Sequence, residues 1–511
     1  MTNPITIRDL LADGAADDPA LLAPGRPALD FDALRTLADG TVERLNALGI
    51  GRGDTVAIVL PNGPEMAAAF VAVACGATTA PLNPAYRAEE FAFYLSDLNA
   101  KALVVERGSE SPAVAVAKDR GVPVIELVAD PDGPAGAFRL EGADAAAAAS
   151  PGAAGPDDIA LVLHTSGTTS RPKMVPLSHA NVCASARNIS AVLSLAAADR
   201  CLNIMPLFHI HGLIAAVLSS LKAGASIFCT PGFNALKVFG WMDEAKPSWY
   251  TAVPTMHQAI LGRAARNPEA VARTDLRLIR SSSSSLPPQV MAELEDVFGA
   301  PVIESYGMTE AAHQMASNPL PPAARKPGTV GIAAGPEVRI RAEDGRFLEA
   351  GQTGEIVIRG ENVTAGYTNN PTANAEAFVD GWFRTGDLGV CDDEGYLSIV
   401  GRIKEIINRG GEKISPREVD EVLLDHPSVA QAVTFALPHD KLGEEVAAAI
   451  VPSDGTEVDP SVLRRFAAER LADFKVPRRF VVVDEIPKGA TGKLQRIGLH
   501  EKLAEQLERA S

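Results

Sequence analysis

From the N-terminus to about Gly307, compact apolar runs take turns with longer stretches in which apolar residues recur at helical spacing. The segment DTVAIVLPNG (Asp54–Gly63) closes an apolar run with a Pro-Asn-Gly turn and predicts a strand, followed by a helix around Met66. KALVVE (Lys101–Glu106) and VPVIELV (Val122–Val128) predict further strands. GADAAAAASPGAAGPDD (Gly142–Asp158) has no period and reads as a surface connection. DIALVL (Asp158–Leu163) predicts a strand, and SHANVCASARNISAVLSL (Ser178–Leu195) a helix capped by Ser178. The segment between them is therefore expected to join a strand to a helix, where backbone amides can face an anion. LRLIRSSSSSLPPQVMAELEDVFGAPVIESYG (Leu276–Gly307) predicts strand, serine loop, Pro-led helix and strand. Strands alternating with helices imply parallel sheets.

From about Gly335 the pattern shortens into strands separated by turns, as in VRIRAEDGRFLEAGQTGEIVIRG (Val338–Gly360), which predicts a small antiparallel or barrel-like unit. After GYLSIVGRIKEIINRGGEKISP (Gly395–Pro416) a compact mixed segment follows, with helices near 417–425 and 461–473 and strands at AQAVTFALP (Ala430–Pro438) and RFVVVDEIP (Arg479–Pro487). No repeat of fixed period is present. The fold class expected is α/β: a large N-terminal domain of parallel α/β sheets with a small β-barrel-like unit, then a small mobile α+β C-terminal domain. The boundary is expected between 403 and 404, giving domains 1–403 and 404–511.

Composition narrows the function. At 511 residues the chain exceeds what one core supports. Its net charge of −17 argues against a nucleic-acid partner, so an anionic ligand requires local cations. The five cysteines show no C-x-x-C spacing and suit a reducing compartment; with no signal-peptide pattern at the start, the cytoplasm is the expected location. The most apolar early run, Met66–Ala80, is shorter than the roughly 20 residues of a membrane span and reads as a buried helix.

The candidate chemistry starts at TSGTTSRPK (Thr165–Lys173). Its hydroxyls and lysine suit phosphates, but no second Gly precedes Lys173, so the ordinary phosphate loop is absent. Alone, such a stretch is usually a solvated turn. It stands in order with SYGMTE (Ser305–Glu310), GWFRTGD (Gly381–Asp387), GRIKEIINRGGEKISPREVD (Gly401–Asp420) and PKGATGKLQR (Pro487–Arg496). With these five motifs the chain resembles the adenylate-forming acyl-CoA synthetases over nearly its whole length. The resemblance implies a two-step reaction. A carboxylate attacks the α-phosphate of ATP, releasing pyrophosphate, and the thiol of coenzyme A then displaces AMP. Fixed donors and Mg²⁺ should supply most of the rate.

By the same resemblance Thr165, Ser166, Gly167, Thr168, Thr169 and Lys173 cradle the β- and γ-phosphates. Tyr306, between Ser305 and Gly307, lies against adenine, Thr309 touches the α-phosphate, and Glu310 holds Mg²⁺. Asp387, with Arg402 nearby, accepts the ribose hydroxyls. Lys493 serves adenylation, Lys404 is the pivot of the mobile domain, and Gly410 and Gly411 pass close to coenzyme A. His209 gates the carboxylate. The thiol is expected to be coenzyme A, since no carrier domain follows Arg496. Ser170 and Met174 stand where the family commonly has Gly, which puts the path of the phosphate loop in question.

The acid pocket offers polar groups: His209 and His211 in PLFHIHG, Ser281–Ser285, and His313 in TEAAHQMASNP. A luciferase-like oxygenase needs an apolar pocket instead, and a catalytically dead binder would be expected to lose Lys493, Glu310 or Asp387. A dicarboxylate keeps a second charge in the pocket that must be paired. Malonate ligases carry Arg just before the Tyr of YGMTE, where this chain has Ser305. Oxalate ligases share TTSRPK, PLFH-x-HG, WYTAVPT (Trp249–Thr255), MTEA-x-H and SNPLP (Ser317–Pro321). The similarity to that branch implies oxalate as substrate, with malonate or another short acid as the alternative. His211, His313 and one or more of Ser281, Ser282 and Ser283 are then expected to hold the distal carboxylate.

Overall fold

A computed structural model of the chain describes residues 5–145, 147–165, 172–453, 455–487 and 496–509. They divide into two compact units, one formed by residues up to 165, 173–338 and 358–383, the other by 339–357 and 384 onward.

The first unit is built on two large sheets. The nine-stranded one runs in the order Ile332–Ala333, His313–Ser317, Val302–Met308, Leu278–Ser281, Trp249–Ala252, Arg200–Asn203, Ser226–Cys229, Pro19–Leu22, Leu29–Asp30. From Val302–Met308 to Pro19–Leu22 neighbouring strands are parallel, as the alternating pattern predicts. Helices Val238–Ala245, Pro254–Ala264 and Pro288–Phe298 bring Phe239, Met242, Ile260, Met291 and Leu294 against Leu202, Tyr250, Ile279 and Val302 of this sheet. The seven-stranded sheet runs Phe138–Glu141, Val124–Ala129, Ala102–Glu106, Thr55–Val59, Thr78–Pro81, Ile159–His164, Met174–Ser178. Its middle strands are again parallel. Helix Pro64–Ala74 is buried on all its faces except at Glu65, which accounts for its all-round apolar sequence without a membrane. Among the described residues no helix is long and apolar enough to cross one.

One expectation is overturned here. The hydroxyl-rich segment does not lead from a strand into a helix. A further strand, Met174–Ser178, pairs antiparallel with Ile159–His164, with Val162 opposite Pro176 and His164 opposite Met174. The described residues on either side of the segment therefore belong to two antiparallel strands. The lone Pro176 disguises the strand in the sequence, yet Met174–Ser178 is a sheet edge, where a residue without an N–H is tolerated. Met174 is buried in extended backbone, so its side chain meets no conformational conflict there. Helix His179–Val192 follows directly. Ser178 caps it as expected: its Oγ accepts the Asn181 N–H (3.2 Å) while Asn181 Oδ1 accepts the Ser178 N–H (3.0 Å).

The short-strand region forms a five-stranded sheet in the order Glu337–Arg341, Gly354–Arg359, Trp382–Cys391, Phe378–Val379, with Leu397–Arg402 also paired to Trp382–Cys391. In the second unit Leu397–Arg402 runs antiparallel to it, Asp387 opposite Arg402. A single 3₁₀ turn, Ile403–Glu405, then leads to a sheet of Glu412–Ile414, Ile407–Arg409, Gly443–Pro452 and Val429–His439, with Arg479–Val482 parallel to Gly443–Pro452. Helices Pro416–Leu424 and Pro460–Ala468 lie where the pattern predicts them and pack Val419, Leu423 and Leu463 against Ile407, Ile414, Val446 and Ile450.

Candidate active site

At the C-terminal ends of the parallel strands, where α/β sheets bind ligands, the structure gathers His211, Ser283 and His313. His211 opens a π-helical stretch, His211–Leu218, closed by an Ser219 N–H to Ile214 carbonyl bond. Such turns are rare and concentrate at functional sites. The stretch fits because position 212 is Gly: a Cβ there would lie 2.4 Å from the Pro206 carbonyl oxygen. The imidazoles of His211 and His313 stack with centroids 4.8 Å apart and planes at 22°. His211 Nδ1 lies 3.0 Å from Ser283 Oγ, and Nε2 2.6 Å from Thr251 Oγ1. Three non-glycine residues of this cluster have left-handed backbone: Ser283 (φ 72°), Ala312 (φ 46°) and His313 (φ 95°). Each such residue costs of order 1–3 kcal/mol, and such strain collects where geometry serves a ligand. Ser282 Oγ donates to the Ser305 carbonyl (3.0 Å) and Ser305 Oγ to the Ser281 carbonyl (3.2 Å), while Ser281 Oγ is buried without a partner among the described residues. His209, half-buried, lies one helical turn before Leu213, whose N–H donates to its carbonyl, and its ring is 4.8 Å from that of Phe208.

The strand Val302–Met308 delivers the next group. Gly307 is required by close approach, since a Cβ would lie 1.9 Å from the His313 carbonyl oxygen. Tyr306 is buried beside it. Thr309 and Glu310 follow in a 3₁₀ turn, Thr309–Ala311. Glu310 is buried, its carbonyl accepts the Thr364 N–H (2.8 Å), and its Oε1 accepts the Tyr367 hydroxyl (2.8 Å). Lys173 Nζ sits 4.4 Å above the Tyr367 ring. Tyr367 thus joins two motifs far apart in sequence. Thr165 and Lys173 bond to each other: the Thr165 N–H donates to the Lys173 carbonyl (2.9 Å) and the Lys173 N–H to Thr165 Oγ1 (3.3 Å). Ser166, Gly167, Thr168, Thr169 and Lys493 lie outside the described residues, as does Ser170.

In the second unit Asp387, nearly inaccessible, accepts from Arg402 Nε (3.0 Å), and its N–H donates to Thr385 Oγ1 (3.1 Å). Lys404 is exposed in the turn Ile403–Glu405. Gly410 (φ 60°) and Gly411 (φ 97°) form the two-residue loop between Ile407–Arg409 and Glu412–Ile414, with Arg409 opposite Glu412. A hairpin loop with positive φ at both positions calls for glycine whatever else passes it.

Two family models match the sequence: AMP-binding enzyme over residues 11–368 and AMP-binding enzyme C-terminal domain over 418–493. The chain belongs to the AMP-binding enzyme family. It is 47% identical to a probable CoA ligase of Humulus lupulus over all of this chain and 99% of that one. It is 46% identical to the oxalate–CoA ligase of Arabidopsis thaliana, with 96% and 97% covered. The ATP-bound crystal structure of MatB from Rhodopseudomonas palustris superposes with a TM-score of 0.87 at 30% identity, covering 98% of this chain and 99% of that one. The parallel-sheet architecture with a separate C-terminal sheet is that of the adenylate-forming enzymes.

Two residues of this family member escape a motif-based reading. Tyr367 lies between motifs, in a stretch with no pattern of its own. Arg280 left a signal that the serine run after it obscured. A central parallel strand, buried on both faces, reads as a continuous apolar run, and LRLIRS places a cation in one. Arg280 is fully buried. Its Nη1 lies 3.4 Å from both His211 Nε2 and Thr251 Oγ1, and its Nη2 3.2 Å from both His313 Nε2 and Gln314 Oε1. Burial pushes the guanidinium down to about 9, which leaves it charged at neutral pH.

Proposed function

We propose that this adenylate-forming CoA ligase acts on oxalate, giving oxalyl-CoA, AMP and pyrophosphate. The observation that carries the reading is the buried cluster of Arg280, His211 and His313, which holds a positive charge where an aliphatic acid would need an apolar wall. Ser305, whose hydroxyl is spent on the Ser281 carbonyl, offers no cation in place of the arginine of malonate ligases. The similarity to a relative named oxalate–CoA ligase supports the same acid.

In the first step one oxalate carboxylate attacks the α-phosphorus and pyrophosphate leaves. Lys173, Thr165 and residues 166–169 hold the β- and γ-phosphates. Tyr306 lies along the adenine, with Ser305 and Gly307 shaping the strand that carries it, and Thr309 donates to the α-phosphate. Asp387, held by Arg402, takes the ribose hydroxyls. His209 gates the reacting carboxylate, His211, His313 and Ser281–Ser283 face the distal one, and Lys493 meets the charge that grows on the α-phosphate. In the second step the coenzyme A thiol attacks the acyl carbon and AMP leaves, with Gly410 and Gly411 beside the thiol's path. The domains divide between 403 and 404, with Lys404 as the pivot between the two steps. The exposed turn Ile403–Glu405, between the end of one sheet and the start of the next, supports that placement.

Mg²⁺ fits Glu310. One carboxylate oxygen is occupied by Tyr367, the other takes no hydrogen bond from the described residues, and no cluster of three His, Cys, Asp or Glu forms a complete protein site among them. A Mg²⁺ bound through one carboxylate and substrate phosphates is the usual arrangement, and it would neutralise phosphate charge. Tyr367→Phe tests this carboxylate. It removes the hydroxyl and keeps the ring beneath Lys173. The lost hydrogen bond goes to a carboxylate, and a bond to a charged group contributes about 1.5–3 kcal/mol, so kcat/KM for ATP should fall roughly 10- to 150-fold. The Mg²⁺ concentration for half-maximal rate should change with it. An unchanged rate at every Mg²⁺ concentration would remove Tyr367 and Glu310 from the phosphate site.

The substrate is tested by pyrophosphate release with ATP, Mg²⁺ and oxalate, malonate or acetate. We expect kcat/KM to be highest for oxalate. A higher value for malonate or acetate would replace oxalate with another short acid and leave the CoA ligase assignment standing. Location in the cytoplasm is part of this reading, supported by five free cysteines, four of them buried.

A further inference from the structure

Arg280 sits at the middle of the nine-stranded sheet, opposite Thr251 on one side and Ile303 on the other. It has no accessible surface, and no carboxylate of the described residues pairs with it. Its Nε has no partner at all among them. A buried charge without a counter-charge is costly, and a structure retains one where a ligand completes the pair.

The hydrogen bonds fix the state of the neighbours. A guanidinium only donates. His211 Nε2 and His313 Nε2, which face Arg280 Nη1 (3.4 Å) and Nη2 (3.2 Å), are therefore acceptors. Thr251 Oγ1, 2.6 Å from His211 Nε2, donates into the same lone pair. Both imidazoles are then neutral, with their protons on Nδ1. His211 Nδ1–H donates to Ser283 Oγ (3.0 Å), and the serine hydroxyl proton is turned onward, away from His211. His313 Nδ1 faces the Cα of Gly307, where a Cβ would come within 3.2 Å of it, in the strand that leads to Thr309 and Glu310.

We propose that Arg280 is the specificity-determining cation of this enzyme: its charge is relayed by neutral His211 and His313 and the Ser283 hydroxyl to the distal carboxylate of the acid. This rests on the oxalate reading and assigns its charge balance. The histidines act as oriented donors and do not carry the charge. Arg280 lies behind them as a positioning residue, and the sheet register and the Gln314 contact hold it there.

Oxamate is the decisive probe, because it matches oxalate in shape and lacks the distal charge. Pyrophosphate release is measured with each acid in the wild type, in Arg280→Met and in Arg280→Gln, which keeps a donor towards the histidines. Loss of the cation that balances the distal carboxylate is expected to lower kcat/KM for oxalate roughly 10- to 150-fold in both variants, the size of a lost interaction with a charged group. The drop should fall mainly on KM, oxamate should be affected far less, and the wild-type preference for oxalate over oxamate should vanish. Equal losses for both acids would reduce Arg280 to a structural residue and overturn the proposal, as would an undiminished oxalate preference in either variant. If the wild type itself prefers another acid to oxalate, the substrate reading fails first, and that result is separable from any behaviour of the variants. Should Arg280→Met not fold, Arg280→Gln alone decides.

Discussion

Lys493→Ala is expected to slow oxalate-dependent pyrophosphate release by about 10²–10³, the usual effect of removing one preorganised donor from developing negative charge. Thioester formation from presupplied oxalyl-adenylate should change much less. The asymmetry follows from where charge appears. In the first step an anion meets a polyphosphate and negative charge accumulates on the α-phosphate oxygens; in the second a thiol attacks an already activated acyl group. The first described residue after the lysine is held firmly. Arg496, three positions on, places Nη1 2.6 Å from Asp420 Oδ2 and Nε 3.2 Å from Glu405 Oε2, and donates to the Thr434 carbonyl (3.1 Å). Asp420 is in turn bound by the Thr434 N–H. Single-turnover measurements of the two half-reactions check the prediction, and an equal loss in both would mean that Lys493 serves the thioester step as well.

Sequence periodicity carried the architecture well because its causes are local. Leu278–Ser281, helix Pro288–Phe298 and Val302–Met308 form a strand–helix–strand unit whose turn residues and apolar spacing are visible without any neighbour. Ser178 caps its helix for the same reason. The strand Met174–Ser178 was missed because its pairing with Ile159–His164 is not a local property, and because a proline in a strand is acceptable only at an edge. Sequence does not announce which strand will be the edge. The site divides in the same way. His211, Ser283 and His313 stand in recognisable motifs, and the fold brings them together. Arg280 and Tyr367 act through partners remote in the chain, Gln314 and His313 for one, Glu310 and Lys173 for the other. Their neighbours in sequence gave no reason to pair them. From sequence, His211, His313 and the serines are expected to hold the distal carboxylate, which requires donors or cations without saying which group carries the charge. The buried guanidinium that donates to both rings is a cation that the motifs do not name.

Acidification from pH 7.5 to pH 5 is expected to remove about 4 kcal/mol from the stability of the first unit, through His179 and His257. Both are fully buried. His179 Nδ1 accepts the Ile7 N–H (3.1 Å), which requires the neutral ring, and burial pushes the group down to about 4. His257 Nδ1 lies 3.2 Å from the Tyr250 hydroxyl, and burial pushes it down to about 3. An unfolded chain restores each to about 6.5. Below that value the unfolded state binds protons that the folded state refuses, so stability rises with pH across the window and is lost as pH falls through it. Each group contributes about 1.4 kcal/mol per pH unit between its unfolded and folded values, which gives about 2 kcal/mol apiece at pH 5. Against a typical total of about 5–15 kcal/mol this is a large fraction. The urea midpoint of the first unit's transition, followed from pH 7.5 to pH 5, should therefore fall steeply while carboxylates are still ionised. His257→Phe and His179→Gln, each compared with itself across the same range, should lose about half of that pH dependence even if their stability at pH 7.5 is lower. A midpoint that stays flat down to pH 5 would show that these rings take up protons in the folded state, and would contradict the burial of both and the neutral ring that the Ile7 N–H requires of His179.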